Sequence, residues 1–438
     1  MPNSPLSRPA NWPLLYLAVS LTTCATLLLE LALTRIFSVV FYYHFAFLAI
    51  STALFGLGVG GVLSYVVSGW KGRLFAKLGW LSLGNAGLAL VSILVVLTRG
   101  AEVGTFDFAL IYFTNSLPFI GAGMIVSLVI SETIERVDKV YFFDLLGAAA
   151  GCLALVALLN AIGGENTVIA VSVLFAAAGA IWFRLDSFKF GRILSVGLGL
   201  AFTLLVIANL KYHVIGVRYA KGLKLHDEQF VKWNPISRIG LAADKDAGEM
   251  IYIDADASTA IANFDFQHLT PGQMNDLVHQ GPGIPYSLRP GAKTLVIGPG
   301  GGWDISRALA TGSKDVTGVE INPIIGTTIM RKKFPQLSQS LYLRPDVHIQ
   351  IEDGRSFVRR SPEKYQVIQA TLVDTWASTA AGAFALSENN LYTTDAFRDY
   401  FSHLTDDGLL TFTRWGFDPP RESLRLLSLA MSALKDLG

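Results

Sequence analysis

Long apolar runs dominate the first half of the chain, and they constrain its fold more than any other feature. Crossing the hydrocarbon core of a bilayer takes about 20 apolar residues per helix. Seven runs are long enough: 14–33, 44–67, 78–97, 107–130, 140–161, 167–183 and 193–210. Only 16% of all residues are charged, against about 25% in soluble proteins. We therefore expect residues 1–212 to form a multi-pass transmembrane bundle, with its first run retained as an anchor in the lipid bilayer.

Positive charges gather in three of the short loops between these runs. They are Lys71, Arg73 and Lys77, then Arg136 and Lys139, and then Arg184, Lys189 and Arg192. The positive-inside rule predicts that these loops are cytoplasmic. If every run crosses, the rest of the chain emerges on the other side; if one run fails to cross, it emerges in the cytoplasm. Both alternatives stay open. We expect the second half to be cytoplasmic, which requires that one run does not cross.

Four ionisable residues lie within or at the ends of the apolar runs: Glu30, Arg35, His44 and Asp144. Such groups are unfavourable in hydrocarbon and need partners. They are interpreted either as structural ion pairs and helix-end groups or as a polar substrate or proton site. Two small-residue patterns, Gly56-x-x-x-Gly60 and Gly147-x-x-x-Gly151, predict close helix packing.

The second half contains a glycine-rich stretch, TLVIGPGGGWD, from Thr294 to Asp304. It reads as a buried strand, a tight turn and the start of a helix. The glycines Gly298, Gly300, Gly301 and Gly302 allow a backbone to turn sharply and to approach a ligand closely. A following strand ends in Glu320, about 20 residues later, the spacing at which a carboxylate accepts hydrogen bonds from ribose hydroxyls. This pattern indicates a nucleoside cofactor.

Strands and helices alternate after residue 291. The strand segments are TLVIG, DVTGVEI, DVHIQIED, YQVIQATL and GLLTFTRW. Such alternation predicts a doubly wound, mostly parallel α/β sheet over residues 291–438, whose ligand lies at the carboxyl ends of the strands. Unusual residues fall at those ends: Glu320, Asp353 with Gly354, Asp374, and Arg414 with Trp415. Residues 213–290 read as a small antiparallel β-unit and linker.

The region from about Ile236 to Trp415 resembles the spermidine synthase (polyamine aminopropyltransferase) family. The resemblance rests on VIGPGGGWD, VEINP, EDGRSF, KYQVIQATLVD and NNLYTTDAF, in that order. It implies a small N-terminal β-unit followed by a class I methyltransferase-type Rossmann domain. Together, the two halves look like the bacterial multi-pass, spermidine-synthase-like proteins of the inner (cell) membrane.

The resemblance also implies roles for individual residues. Gly298, Gly300, Gly301 and Gly302 would line the amino-acid side of a sulfonium nucleoside donor, which is decarboxylated S-adenosylmethionine or S-adenosylmethionine (SAM). Glu320 would hold the ribose, and Asp353 with Gly354 the adenine. Asp374 would be the catalytic base that orients and deprotonates the attacking amine.

The sequence departs from the family in ways that bear on the substrate. Gly301 replaces the aspartate that helps to bind the ammonium of the donor's aminopropyl group. The segment after Asp374, from Thr375 to Leu386, is apolar where the family has a polar gate. Its part from Ala380 to Leu386 is interpreted as a loop that closes over a less polar acceptor, as one that rests against the bilayer, or as a buried hydrophobic connection. A polycationic acceptor would lose charge-assisted contacts of about 1.5–3 kcal/mol each. Because the missing aspartate would also repel the carboxylate of SAM, its loss allows undecarboxylated SAM to bind as the donor.

Three functions follow as alternatives. The first is an aminopropyltransferase-like enzyme that alkylates an amine-type acceptor. The second is a SAM-dependent methyltransferase acting on a membrane-borne or apolar acceptor. The third is a non-catalytic sensor or transporter that binds a polyamine or nucleoside. Neither a metal nor a nucleic-acid partner is expected, because the seven histidines show no ligand spacing and the net charge is only +1. A homo-oligomer stays open. We also expect the chain to be C-terminally truncated, because a final hairpin of the fold is absent after Gly438.

Overall fold

The computed structural model describes residues 11–41, 45–99, 104–373, 390–414, 418–419 and 422–438, without the side chains of Ala46 and Glu422. The chain divides into two compact units. The helical unit contains the described residues up to Leu225 together with Trp233–Ser237. The sheet unit contains His226–Lys232 and the described residues from Arg238 onward. Residues 238–260 of the predicted β-unit and the doubly wound sheet therefore belong to one compact body, whereas residues 213–225 belong to the helical unit.

Six helices of the helical unit are long and apolar enough to cross a membrane. They are α1 (Trp12–Val40), α2 (Ala46–Ser68), α3 (Leu74–Leu97), α4 (Thr105–Glu132), α5 (Val137–Leu185) and α6 (Lys189–Tyr212). Two of the predicted runs, 140–161 and 167–183, both lie within α5.

Helix α5 is interrupted at Gly163. The backbone there has φ 82° and ψ 174°, a conformation open essentially to glycine alone. Val140 and Trp182, on either side of the break, belong to one buried cluster with Leu15 and Leu78. In a continuous helix they would be about 63 Å apart at 1.5 Å per residue. The chain therefore reverses direction at Gly163. With α5 counted as two segments, the described bundle contains seven long helical segments.

Small residues let neighbouring helices approach closely, as the two glycine patterns predict. A Cβ on Gly60 of α2 would lie 2.2 Å from the carbonyl oxygen of Ile120 in α4. A Cβ on Gly147 of α5 would lie 2.2 Å from the carbonyl oxygen of Ser20 in α1. No side chain fits at either position without moving a backbone, so both contacts depend on glycine.

Three of the four ionisable residues of the bundle are described, and His44 lies outside the described residues. Arg35 is 2% exposed, and its Nη1 donates a hydrogen bond to Oγ of Ser38 at 2.7 Å. Glu30 and Asp144 are half-buried on α1 and α5. The structural and the functional interpretation of these residues both stay predictions.

The small β-unit comprises six short strands: β1 (Tyr219–Ala220), β2 (Leu223–Lys224), β3 (Phe230–Trp233), β4 (Arg238–Asp244), β5 (Gly248–Ile253) and β6 (Ala257–Ala260). Strands β1 and β2 form an antiparallel pair, and the other four form a sheet in the order β3-β4-β5-β6. Strands β4, β5 and β6 pair antiparallel, as predicted for the small β-unit. The FVKW strand, β3, was not predicted from the sequence.

The remaining strands confirm the alternation predicted after residue 291: β7 (Thr294–Ile297), β8 (Val316–Val319), β9 (Val347–Gln350), β10 (Tyr365–Thr371) and β11 (Leu404–Thr413). They form one sheet in the order β11-β10-β7-β8-β9, and every adjacent pair is parallel. In order along the chain this is 5-4-1-2-3, consistent with a Rossmann-like methyltransferase domain. The strand order reverses between β7 and β10, which is the switch point where such sheets bind ligands.

Helices cover both faces of this sheet. The helices of the sheet unit are α7 (Pro271–Val278), α8 (Ile284–Leu288), α9 (Trp303–Ala310), α10 (Gly354–Arg360), α11 (Thr394–Ser402) and α12 (Glu422–Leu437), with a π-helical segment at Ile324–Lys333. Val296 of β7 faces one core, which it shares with Ile305 of α9 and with Leu241 of the small sheet. Its neighbours Leu295 and Ile297 face the other core, which includes residues of α10 and α11.

Candidate active site

The glycine loop begins where β7 ends and leads directly into α9. Gly298, Gly300 and Gly302 have φ of 68°, 50° and 93°, a left-handed region that disfavours residues with a Cβ. A Cβ on Gly298 would also lie 2.8 Å from Cγ2 of Val373, which follows β10. The loop thus lies at the switch point between β7 and β10, where the sequence predicts the cofactor.

Gly301 packs against the last strand of the small sheet. Its N–H donates to Oγ1 of Thr259 at 3.2 Å, and its carbonyl oxygen accepts from the N–H of Ala262 at 2.8 Å. A Cβ on Gly301 would lie 1.9 Å from the carbonyl oxygen of Ala260. The loop therefore has no room for the aspartate that the family carries here. Contact of Gly301 with a cofactor stays a prediction.

Glu320 follows β8 and reaches the glycine loop. Its Oε2 accepts a hydrogen bond from the N–H of Gly300 at 3.2 Å, and its Oε1 accepts one from Asn322 at 2.9 Å. The residue is only 5% exposed. Burial raises the pKa of its carboxyl to about 6, although the two N–H donors act in the opposite direction. A ribose hydroxyl donating to Oε2 would share that oxygen with Gly300.

Asp353 and Gly354 follow β9 at the same edge of the sheet. Asp353 caps α10, because its Oδ1 accepts a hydrogen bond from the N–H of Ser356 at 2.8 Å. A Cβ on Gly354 would lie 2.6 Å from Cγ2 of Ile297, so glycine allows α10 to pack onto the end of β7. Asp353 therefore has a structural role as a helix cap, while contact of either residue with adenine stays a prediction.

Asp374, the predicted base, lies outside the described residues, as do Trp415 and the apolar segment 375–386 that follows Asp374. The residue before Asp374, Val373, is described, and its carbonyl oxygen accepts hydrogen bonds from two side chains. Oη of Tyr392 donates to its carbonyl oxygen at 2.6 Å, and Nη1 of Arg414 donates to the same oxygen at 3.2 Å. The end of β10 is therefore fixed by two side chains.

These two side chains also contact each other, with the Arg414 guanidinium 5.1 Å from the centre of the Tyr392 ring. Sequence reasoning noted Arg414 only as an unusual residue at a strand end, and it assigned no role to Tyr392. A signal was present, because Tyr392 belongs to the NNLYTTDAF stretch that carries part of the family resemblance.

Two polar or aromatic residues at the start of α9 are structural. Trp303 meets Phe264 edge to face at 5.2 Å between ring centres and packs against the core of the sheet unit. Asp304 is 5% exposed and pairs with Arg307, with Nη1 and Oδ1 2.5 Å apart. Burial raises the pKa of Asp304, against the opposing effect of Arg307. Neither residue is therefore assigned to the ligand.

Comparison with solved structures gives distant similarities. A spermidine synthase in complex with the transition-state analogue AdoDATO is 20% identical, with a TM-score of 0.34, over 49% of this chain and 64% of that chain. A spermidine synthase from Thermotoga maritima is 19% identical, with a TM-score of 0.35, over 49% and 65%. A candidate SAM-dependent methyltransferase from Streptococcus mutans is 14% identical, with a TM-score of 0.28, over 56% and 57%.

The chain thus spans less than two thirds of the length of each of these three structures. No family model matches the chain, and the curated proteins give no significant match. The Rossmann-like character of the sheet unit therefore rests on its own strand order and on the position of the glycine loop.

Proposed function

We propose that the sheet unit is a transferase domain that binds a sulfonium nucleoside, SAM or decarboxylated SAM, and that the helical unit anchors it in a membrane. The hydrogen bond between the N–H of Gly300 and Oε2 of Glu320 supports this most directly. It joins the loop after the first strand to the acid after the second, beside the switch point of the sheet. Asp353 follows the third strand at the same edge.

In the leading form of the proposal, the acceptor is an amine. Its nitrogen attacks the carbon beside the sulfonium sulfur, the carbon–sulfur bond breaks, and methylthioadenosine leaves with the bonding electron pair. Asp374 takes the proton from the attacking nitrogen, a role proposed from the sequence. A carboxylate suits this step because it attracts the ammonium form of the amine and then accepts its proton.

Methyl transfer is the second candidate, and the contact between Gly301 and Ala260 favours it. With no space for a side chain at Gly301, this loop offers no carboxylate to bind the ammonium of an aminopropyl group. The absence of an aspartate at Gly301 also removes a negative charge that would repel the carboxylate of SAM. The acceptor would then attack the methyl carbon, and S-adenosylhomocysteine would be released. A membrane-borne or apolar acceptor fits this form of the reaction.

The nucleoside product separates these functions. The full chain in lipid nanodiscs would be incubated with each donor and a mixture of amines and membrane lipids, and the thioether product identified by mass spectrometry. Methylthioadenosine supports aminopropyl transfer, and S-adenosylhomocysteine supports methylation. Asp374→Asn should abolish turnover but retain donor binding. Donor binding without either product would instead favour the sensor or transporter alternative.

A further inference from the structure

The basic loops of the helical unit lie together at one end of the bundle. The Arg136 guanidinium stacks on the ring of Trp12 at 4.5 Å, which joins the start of α5 to the start of α1. Arg73 forms an ion pair with Asp186 at 2.9 Å, which joins the start of α3 to the end of α5. The buried cluster that contains Val140 and Trp182 joins these two regions. We refer to this end as the basic end.

The chain leaves the bundle at the opposite end. Beyond α6, the N–H of Val217 donates to Oε1 of Glu165, next to the reversal at Gly163, at 3.3 Å. The N–H of Lys221 donates to the carbonyl oxygen of Val40, the last residue of α1, at 2.7 Å. Because α1 starts at the basic end and α5 reverses far from it, both contacts lie at the far end. A bundle with an odd number of helical segments begins and ends at opposite ends, as this one does.

Charge is distributed unequally between the two ends. The three loops at the basic end carry eight Lys and Arg residues, whereas the short loops at the far end carry only Arg99. Lys211 lies in the last turn of α6, and Arg218, Lys221 and Lys224 follow the helix. These residues begin a long domain, and long domains translocate largely regardless of their charge. The short loops therefore determine the orientation, and they favour a cytoplasmic basic end.

We propose that the bundle crosses the membrane seven times and that the chain after Tyr212, including the candidate active site, lies on the extracytoplasmic side. This replaces the sequence-based expectation of a cytoplasmic domain, which required one apolar run not to cross. The candidate site would then take its donor and acceptor from outside the cytoplasm. A sulfonium nucleoside made in the cytoplasm would first have to cross the membrane.

Cysteine labelling tests the orientation in the full chain. Cys24 and Cys152 would first be replaced by serine to give a background without thiols. Single cysteines would then be introduced at Ala247→Cys, in the exposed β4–β5 turn, and at Ser187→Cys, exposed at the basic end. Both changes leave the charge of the chain unaltered. Each variant would be treated with a membrane-impermeant maleimide in right-side-out and in inverted membrane vesicles.

We expect Ala247→Cys to be labelled in right-side-out vesicles and Ser187→Cys only in inverted vesicles. The reverse pattern, labelling of both positions from the same side, or equal labelling of each from both sides would overturn the proposal. Detergent-solubilised samples establish that both thiols react when the membrane is no barrier. The transferase proposal is tested separately, because donor binding in detergent does not depend on orientation.

Discussion

The backbone N–H of Gly300 and the carboxylate of Glu320 are 3.2 Å apart and hydrogen-bonded. Two segments separated by 20 residues meet here because β7 and β8 are adjacent parallel strands and their carboxyl ends lie at the same edge. The contact makes the glycine loop and the acid a single structural element. It also gives the buried carboxylate a partner that a bound ribose would share.

The free energy of unfolding should depend on pH because Glu320 titrates at different pH values in the folded and unfolded states. Burial raises its pKa from 4.5 to about 6, so the folded state holds the proton more tightly than the unfolded state. The stabilisation is complete below about pH 4.5 and is lost as the pH rises to about 6. The loss amounts to about 2 kcal/mol at 1.36 kcal/mol per pKa unit. Unfolding of the wild type and of Glu320→Gln would be followed between pH 4 and about 7. An identical pH profile for both would show that Glu320 does not titrate in this range.

Gly301→Ala should destabilise the sheet unit, because the added Cβ would lie 1.9 Å from the carbonyl oxygen of Ala260. We expect a loss of about 1–3 kcal/mol, typical of overpacking in a close contact. Gly301→Asp should lose at least as much, and it should not gain affinity for decarboxylated SAM. The matched control is Gly272→Ala, whose Cβ would have only Thr270 Oγ1 nearby, at 4.0 Å. Thermal unfolding measures stability; a stable Gly301→Asp protein with improved binding would contradict the steric argument.

Two buried tyrosines should respond oppositely to the loss of their hydroxyl groups. Tyr392→Phe removes the 2.6 Å hydrogen bond to the carbonyl oxygen of Val373, and we expect it to cost about 1 kcal/mol. Tyr286→Phe should be neutral or stabilising, because its buried hydroxyl has no partner among the described residues. Denaturant unfolding gives both values. Equal destabilisation would mean that the ring environment, and not the hydrogen bond, determines the effect of Tyr392→Phe.

The reversal of α5 should depend on glycine at position 163. Gly163→Ala places a Cβ in a backbone conformation of φ 82° and 3.0 Å from Cδ1 of Trp233. We expect a loss of about 1–3 kcal/mol from the backbone conformation alone. Gly58→Ala is the control, because a Cβ there meets nothing within 4 Å. The melting temperature in detergent should fall for Gly163→Ala only, and an equal fall for both would point to a general effect of losing glycine in the bundle.

The local patterns of the sequence predict much of the architecture. Strands such as β7, with four consecutive buried residues, are recognisable because a sheet covered on both faces requires continuous apolar runs. Strand β3 is not predicted, because its four residues, FVKW, are too few to show a clear alternation of apolar and polar side chains. The sequence also places the five glycine and acid residues Gly298, Gly300, Gly302, Glu320 and Asp353 at strand ends.

Other features depend on contacts between distant segments. The docking of Gly301 on Thr259 and Ala260 joins residues about 40 positions apart, and no local pattern predicts it. The hydrogen bonds from Tyr392 and Arg414 to the carbonyl oxygen of Val373 also join segments that are distant in the sequence. The number of helical segments in the bundle depends on whether the chain reverses at Gly163, and the shared burial of Val140 and Trp182 shows that it does.

Donor binding by the full chain tests the central claim most directly. SAM and decarboxylated SAM would each be titrated calorimetrically into the wild type, Glu320→Gln and the control Glu363→Gln, whose carboxylate pairs with Lys293 at the amino ends of β7 and β10. We expect saturable binding of at least one donor by the wild type and by Glu363→Gln. Binding to Glu320→Gln should be about 10- to 100-fold weaker, because charge-assisted hydrogen bonds contribute about 1.5–3 kcal/mol. Absence of binding of both donors to the wild type, or equal affinity of all three proteins, would contradict the proposed nucleoside site.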